Sequence, residues 1–137
     1  MEGTNMKYEL LNINESVMTR VLQLKNIATG TVEECFDDSA VVSDINFEFM
    51  KVGGIYECKI ELFGSFTEKE TTPNISLEIE EETFVGKKRM LKVRLDKEFY
   101  YIPKDNVKEI NTDTIVSFEF TRKDLIQVED VVHDAYM

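Results

Sequence analysis

Residues 55–66, with the sequence IYECKIELFGSF, decide the fold that this chain predicts. The apolar residues Tyr56, Cys58, Ile60 and Leu62 alternate with the charged residues Glu57, Lys59 and Glu61. Successive side chains of a strand point to opposite faces, so the pattern predicts a strand with one buried and one solvated face. Gly53 and Gly54 mark the turn before this strand, and Gly64 predicts a bulge or sharp bend within it.

Similar short segments lie on both sides of this strand, separated by turn-forming residues. The predicted strands are 7–11, 17–25, 31–36, 75–80, 91–95, 98–102, 114–122 and 125–132. Gly30 predicts a hairpin between the second and third of these, and Asp96-Lys97 predicts another tight turn. A turn is also expected at 122–124, an exposed loop at 67–74, and a loop or a single helical turn at 104–111. Residues 43–52 are interpreted as a short strand or an extended loop that lays Phe47 and Phe49 on the core.

This pattern predicts a mostly antiparallel all-β fold in a single domain spanning 1–137, with loose ends at 1–6 and 133–137. Two-sided apolar strands and mid-strand glycine favour a small β-barrel, with a sandwich as the alternative. Strand number, strand length and the bent central strand are typical of an oligonucleotide/oligosaccharide-binding (OB)-like barrel. This is an analogy of architecture, and architecture alone does not assign a function.

Composition predicts an ordinary globular protein of the cytoplasm. No apolar run approaches the roughly 20 residues that cross a bilayer, and 1–11 does not have the pattern of a secretory signal. The two cysteines, Cys35 and Cys58, have no metal-ligand spacing and are expected to be reduced thiols. With His133 as the single histidine, no metal site and no cofactor are predicted.

The formal net charge of −11 arises entirely from the first part of the chain. Residues 1–86 contain 6 Lys+Arg against 17 Asp+Glu, whereas 87–137 contain 10 of each. An acidic surface repels phosphate backbones, so general nucleic-acid binding is disfavoured.

One basic segment stands out against this acidity and is the candidate site for a ligand or partner. Its residues are Lys87, Lys88, Arg89, Lys92, Arg94 and Lys97, together with Tyr100. At least one aromatic ring of 99–101 is expected near the surface, and binding of single-stranded nucleic acid requires that Tyr100 be exposed beside the basic residues. Alternation places Lys92 and Arg94 on the solvated face, where Glu78 and Glu80 would pair with them across a hairpin. The competing interpretation is an unpaired positive stripe that holds a phosphate or an acidic segment.

No catalytic set is present in the sequence, so an enzyme is not predicted. Gly53-Gly54 does not have the spacing of a phosphate-binding loop, and no serine lies in a nucleophile-elbow context. Three functional hypotheses follow: a cytoplasmic module that binds another protein, an acidic nucleic-acid mimic, and a single-stranded nucleic-acid binder that uses 87–97. The mimic would act through Glu33, Glu34, Asp37, Asp38 and 80–82.

Overall fold

The computed structural model describes residues 6–66, 75–104 and 115–137, which form an almost entirely β structure. The strands are β1 (Lys7–Glu15), β2 (Arg20–Asn26), β3 (Val32–Asp37), β4 (Ile55–Phe66), β5 (Ile75–Val85), β6 (Lys88–Leu95), β7 (Glu98–Pro103), β8 (Ile115–Val128) and β9 (Val131–Val132). A short helix, α1, spans Ser39–Val42, and a 3₁₀ helix spans Asp134–Tyr136. Within the described ranges, none of the helices has the length and apolar character needed to span a membrane.

A long antiparallel ladder between β4 and β8 lies at the centre of the sheet. Strand β4 also pairs with β1 and β7, and β8 also pairs with β3, β5 and β9. Strands β1, β2 and β3 form an antiparallel meander. Since β1 pairs with β4 and β3 pairs with β8, this meander and the ladder form a closed ring. The meander β5–β6–β7 closes a second ring onto the same ladder. The β3–β8 and β4–β7 contacts are parallel, so the sheet is mixed, and the expected all-β class is confirmed.

Two apolar clusters lie on opposite faces of this sheet. The main core takes residues from β1 to β8, including Tyr8, Leu22, Cys35, Ile60, Leu77, Leu91, Tyr100 and Leu125. A smaller cluster contains Val85, Met90, Tyr101, Ile126 and Tyr136. Neighbouring residues of one strand, such as Met90 and Leu91, belong to different clusters, as the alternation of side chains requires. The second cluster therefore makes this part of the sheet apolar on both faces.

The prediction for the central strand is confirmed, since β4 spans Ile55–Phe66. Gly64 lies at a shift in the β4–β8 register, where the backbone of β8 comes very close. A Cβ atom on Gly64 would lie 2.6 Å from Cα of Phe120 and would also overlap the carbonyl oxygen of Glu119. Glycine is required here because the bulge leaves no room for a side chain.

Both predicted tight turns are confirmed. Strands β2 and β3 form the expected hairpin, with Gly30 at φ +79°. Asp96 adopts φ +58° in the turn between β6 and β7. Positive φ suits glycine and is tolerated by aspartate better than by most residues.

The predicted turn at 122–124 is wrong, because β8 continues through it to Val128. Arg122, Lys123 and Asp124 pair in register with Phe63, Leu62 and Glu61 of β4. Their polar sequence imitates a turn, but the partner strand holds these residues extended. Cross-strand pairing therefore overrides the local turn signal.

Several strand boundaries also differ from the predictions, among them the end of β5 at Val85 and the start of β6 at Lys88. Strand β1 continues past 11 to Glu15 through a register shift, and β2 begins at Arg20 instead of 17. Residues 43–52 form no strand: Phe47 is fully buried as expected, but Phe49 is 43% exposed. Most of the predicted loops at 67–74 and 104–111, and of the loose end at 1–6, lie outside the described residues.

The predicted loose end at 133–137 is wrong, because this segment packs against the second cluster. Tyr136 is 9% exposed and His133 is 8% exposed. The backbone N–H of Lys87 donates to the carbonyl of Tyr136 at 2.7 Å. Nδ1 of His133 accepts the N–H of Ala135 and caps the 3₁₀ helix. These contacts fix the C-terminal segment on the outer face of the sheet.

Candidate functional site

The predicted basic segment does not form one open positive stripe. Arg94 pairs in register with Glu78 and binds it, with Nε 3.1 Å from Oε2, and Nε is 3.8 Å from Oε1 of Glu80. Arg89 lies 3.2 Å from Glu82. These contacts agree with the interpretation of this charge pattern as cross-strand pairing.

Two members of the predicted site are buried, contrary to expectation. Lys92, expected on the solvated face, is 4% exposed, and its Nζ lies 4.6 Å from the centre of the Phe99 ring. A register shift between Ile79 and Glu81 makes Glu81 the cross-strand partner of Lys92. Burial lowers the pKa of Lys92. Tyr100, which the single-stranded nucleic-acid hypothesis requires at the surface, is 2% exposed and donates its hydroxyl to buried Glu33.

The remaining predicted site residues do not share one environment. Lys87 and Lys97 are exposed, whereas Lys88 is half-buried with Nζ 5.0 Å from the centre of the Tyr136 ring. The predicted site thus divides into cross-strand ion pairs, buried groups and separate surface lysines.

A surface that the sequence analysis missed lies where the β1–β2 turn meets α1, and we call it the apolar end. It consists of Val17, Met18 and Val41, which line one depression, and of Val42 and Ile45, which follow Val41 along the chain. In that order these residues are 97%, 59%, 51%, 49% and 67% exposed. The turn is closed by Ser16, whose N–H and hydroxyl both donate to the carbonyl of Thr19. This closure projects Val17 and Met18 away from the sheet.

Carboxylates surround the apolar end. A depression of about 140 Å³ between the turn and α1 is lined by Val17, Met18 and Val41. Its polar lining includes Glu15, Asp37, Asp38 and Glu48. Among the described residues that line it, Arg20 is the basic one, and it is bound to Asp37 at 2.9 Å. The surface therefore combines apolar contact area with a negative rim.

A second feature is a cleft of about 230 Å³ beside the C-terminal segment, which we call the tail cleft. Its principal residues are Glu61, Phe63, Lys88, Arg122, Asp124 and Tyr136. Glu61 and Asp124 are direct partners across the β4–β8 ladder, as are Phe63 and Arg122. Tyr136, placed by the 3₁₀ helix, donates its hydroxyl to Oε1 of Glu61.

Burial and charge change the acidity of the two cross-strand carboxyls. Burial raises the pKa of Glu61 to about 7, and the nearby Lys88 partly opposes this. Burial also raises the pKa of Asp124, although a hydrogen bond from Arg122 opposes it. Nε of Arg122 donates to Asp124 at 2.7 Å, while its guanidinium carbon lies 4.7 Å and 4.4 Å from the ring centres of Phe36 and Phe63.

The histidine of the tail cleft is held in one tautomer by its two hydrogen bonds. Nδ1 of His133 accepts the N–H of Ala135, so the proton lies on Nε2, which is 2.6 Å from Oδ1 of Asp38. This donation to a carboxylate orients the ring. Across the described parts of the chain, no group of three or more His, Cys, Asp or Glu side chains is arranged to hold a metal ion.

The chain matches no protein-family model, and a search of curated proteins finds no match. Function therefore has to be argued from the apolar end and the tail cleft.

Proposed function

We propose that this chain is a non-catalytic cytoplasmic module that binds another protein through the apolar end. The observation that carries the proposal is the exposure of five large apolar side chains from two neighbouring segments, the β1–β2 turn and residues 41–45. Single exposed apolar residues are common, but grouped ones mark protein interaction surfaces. The buried, unpaired thiols of Cys35 and Cys58 are in keeping with a reducing compartment.

The negative rim determines the kind of partner. Glu15, Asp38 and Glu48 border the depression, whereas Arg20 is neutralised by Asp37. A complementary segment would carry apolar side chains flanked by lysine or arginine. Complementary charge of this kind speeds association and sets orientation more than it adds affinity.

The scaffold that we propose for this module is an OB-like barrel formed by β1, β2, β3, β8 and β4. Its support is the order of pairings, with an antiparallel meander, a parallel β3–β8 contact and a short helix between β3 and β4. Strands β5 to β7 would then be an insertion between the last two barrel strands. The β1–β2 turn of the apolar end would be one of the loops at the rim.

The two other hypotheses have less support. For a nucleic-acid mimic, the required carboxylates are partly engaged: Glu33 binds Lys123 and Tyr100, and Glu82 faces Arg89. For a single-stranded nucleic-acid binder, Tyr100 and Lys92 are too buried to meet a strand.

The proposal is tested with two variants that place the same charge at equally exposed valines. Val41, in the apolar end, and Val32, in β3, are both 51% exposed. Tagged wild type, Val41→Glu and Val32→Glu are used to capture proteins from the source cell at low and moderate salt, after circular dichroism has confirmed folding. We expect a specific protein to be retained by wild type and Val32→Glu and to be lost from Val41→Glu.

A partner identified in this way should contribute an apolar segment with flanking basic residues, and its association should slow as salt is raised. Equal capture by all three proteins, or capture of nothing above background, would contradict the proposal.

A further inference from the structure

We propose that the tail cleft binds a neutral ring polyol, such as a monosaccharide or the ribose of a nucleoside. The tail cleft shares Asp38 with the depression beside the apolar end but none of the apolar residues of that surface, and the proposal does not depend on the protein-binding role. Its basis is a set of unused hydrogen-bonding atoms of both kinds beside an exposed aromatic ring.

Acceptor atoms come from the cross-strand carboxyl pair. Glu61 is 5% exposed, and within the described residues its hydrogen bonding is limited to the donation from Tyr136 to Oε1, so Oε2 is unused. Asp124 accepts from Arg122 through Oδ1, and no described residue donates to its Oδ2. A buried polar atom without a partner is costly, so a ligand hydroxyl that reaches Oε2 of Glu61 would remove that cost.

Donor atoms come from the basic residues on the same cleft. Arg122 uses Nε for Asp124, and among the described residues its two terminal nitrogens donate to no oxygen. Lys88 lies over the ring of Tyr136 without a carboxylate within ion-pair distance in the described part of the chain. A hydroxyl both donates and accepts, so adjacent hydroxyls on a ring can satisfy donors and acceptors together.

The apolar wall of the cleft matches the carbon face of such a ring. Phe63 is 48% exposed although Arg122 stacks against it, so part of its ring stays open. Ile126, which belongs to the same cluster as Tyr136, lines the cleft beneath. Small-molecule sites usually combine an apolar wall with a few polar groups. The volume of about 230 Å³ suits a single sugar ring better than an oligosaccharide.

The cleft contains charges of both signs, which disfavours ionic ligands. The carboxyls of Asp38, Glu61 and Asp124 lie in the same cleft as Arg122 and Lys88, so neither a polyanion nor a polycation meets a site of one opposite sign. The raised pKa of Glu61 also favours an uncharged ligand, since a hydroxyl can accept from the protonated carboxyl and donate to the ionised one.

The test is titration of the ¹⁵N-labelled full chain, followed by amide chemical shifts. The probes are methyl glycosides of glucose, galactose and mannose, then ribose and adenosine, with guanidinium and inorganic phosphate as ionic comparisons. We expect a neutral polyol to shift the amides of Leu125, Ile126 and Ala135 with a Kd on the order of millimolar, as befits a ligand of this size.

Two alanine variants distinguish the site from general surface binding. Phe63→Ala removes the open ring, and Phe84→Ala removes a comparably exposed phenylalanine, 57% exposed, which also lies under an arginine. We expect at least a fivefold weaker Kd for Phe63→Ala and no change for Phe84→Ala.

Selectivity for adenosine and ribose would identify a nucleoside source, and selectivity for a hexoside would identify a glycan or free sugar. The proposal is overturned if no polyol shifts the cleft amides, if only guanidinium or phosphate does, or if both variants weaken binding equally.

Discussion

Replacing Glu61 with glutamine should stabilise the protein at neutral and alkaline pH. Glutamine keeps the shape of the side chain and an oxygen that can accept the hydroxyl of Tyr136, but it cannot ionise. In wild type, burial raises the pKa of Glu61 from 4.5 to about 7. The folded state therefore holds its proton more tightly than the unfolded chain, and this contribution to stability is full below about pH 4.5. It is lost as the pH rises towards 7.

The size of the effect follows from that pKa change. A tenfold difference in proton affinity corresponds to about 1.4 kcal/mol, so the loss across this pH range is about 3 kcal/mol at most. Glutamine avoids this loss of stability because it does not ionise. The free energy of unfolding of Glu61→Gln relative to wild type should thus increase by up to about 3 kcal/mol between pH 4 and pH 8.

Urea unfolding followed by circular dichroism, at half-unit steps from pH 4 to pH 8, measures this difference. Glu119→Gln, at an exposed position of β8, is the matched control for replacing a carboxylate by an amide. A Glu61→Gln difference that is constant with pH, or that falls as pH rises, would refute the argument that burial disfavours the ionised carboxyl.

Two further stability predictions use the same unfolding assay. Gly64→Ala should lower the free energy of unfolding by about 2 kcal/mol or more, because the added Cβ would overlap the backbone of β8. Gly30 has φ +79° but open space around it, so Gly30→Ala should lower the free energy of unfolding by about 1 kcal/mol. Equal losses for the two variants would contradict the steric explanation. Arg20→Ala should cost about 3–5 kcal/mol, because it leaves the 1%-exposed side chain of Asp37 without its cation. Arg89→Ala, which breaks an exposed pair with Glu82, should cost less than about 1 kcal/mol, and a comparable loss would show that burial is not the deciding factor.

The parts of the fold that were predictable are those where one face of a strand is apolar and the other charged. The bounds of β4 follow from alternation and from the turn at Gly53 and Gly54, and the β2–β3 hairpin follows from alternation and from Gly30. The continuity of β8 was not predictable, because Arg122, Lys123 and Asp124 are held extended by β4, which lies far away in the sequence. Local sequence does not contain that partner.

The candidate sites were harder to foresee for a related reason. Lys92 and Tyr100 have the residue types of a surface site, and only the register of three strands buries them. The sequence could have indicated Phe63, because alternation places it on the same face of β4 as Glu57, Lys59 and Glu61. A polar residue would be expected at that position. No pattern in the sequence indicated the position of His133. Residues 133–137 pack against a second apolar cluster that is assembled from several strands, so no single strand predicts it.

The shared β4–β8 ladder bears on how quickly the chain can fold. Cys58 pairs with Val128 and Phe66 with Phe118, so the ladder joins positions 52 to 70 residues apart. Loop closure over such distances costs entropy before any contact is gained, and domains dominated by distant pairings fold in milliseconds to seconds. Neither meander can close its ring until this ladder exists. We therefore expect refolding to be slow and the meanders to become protected from hydrogen exchange together, instead of one after the other.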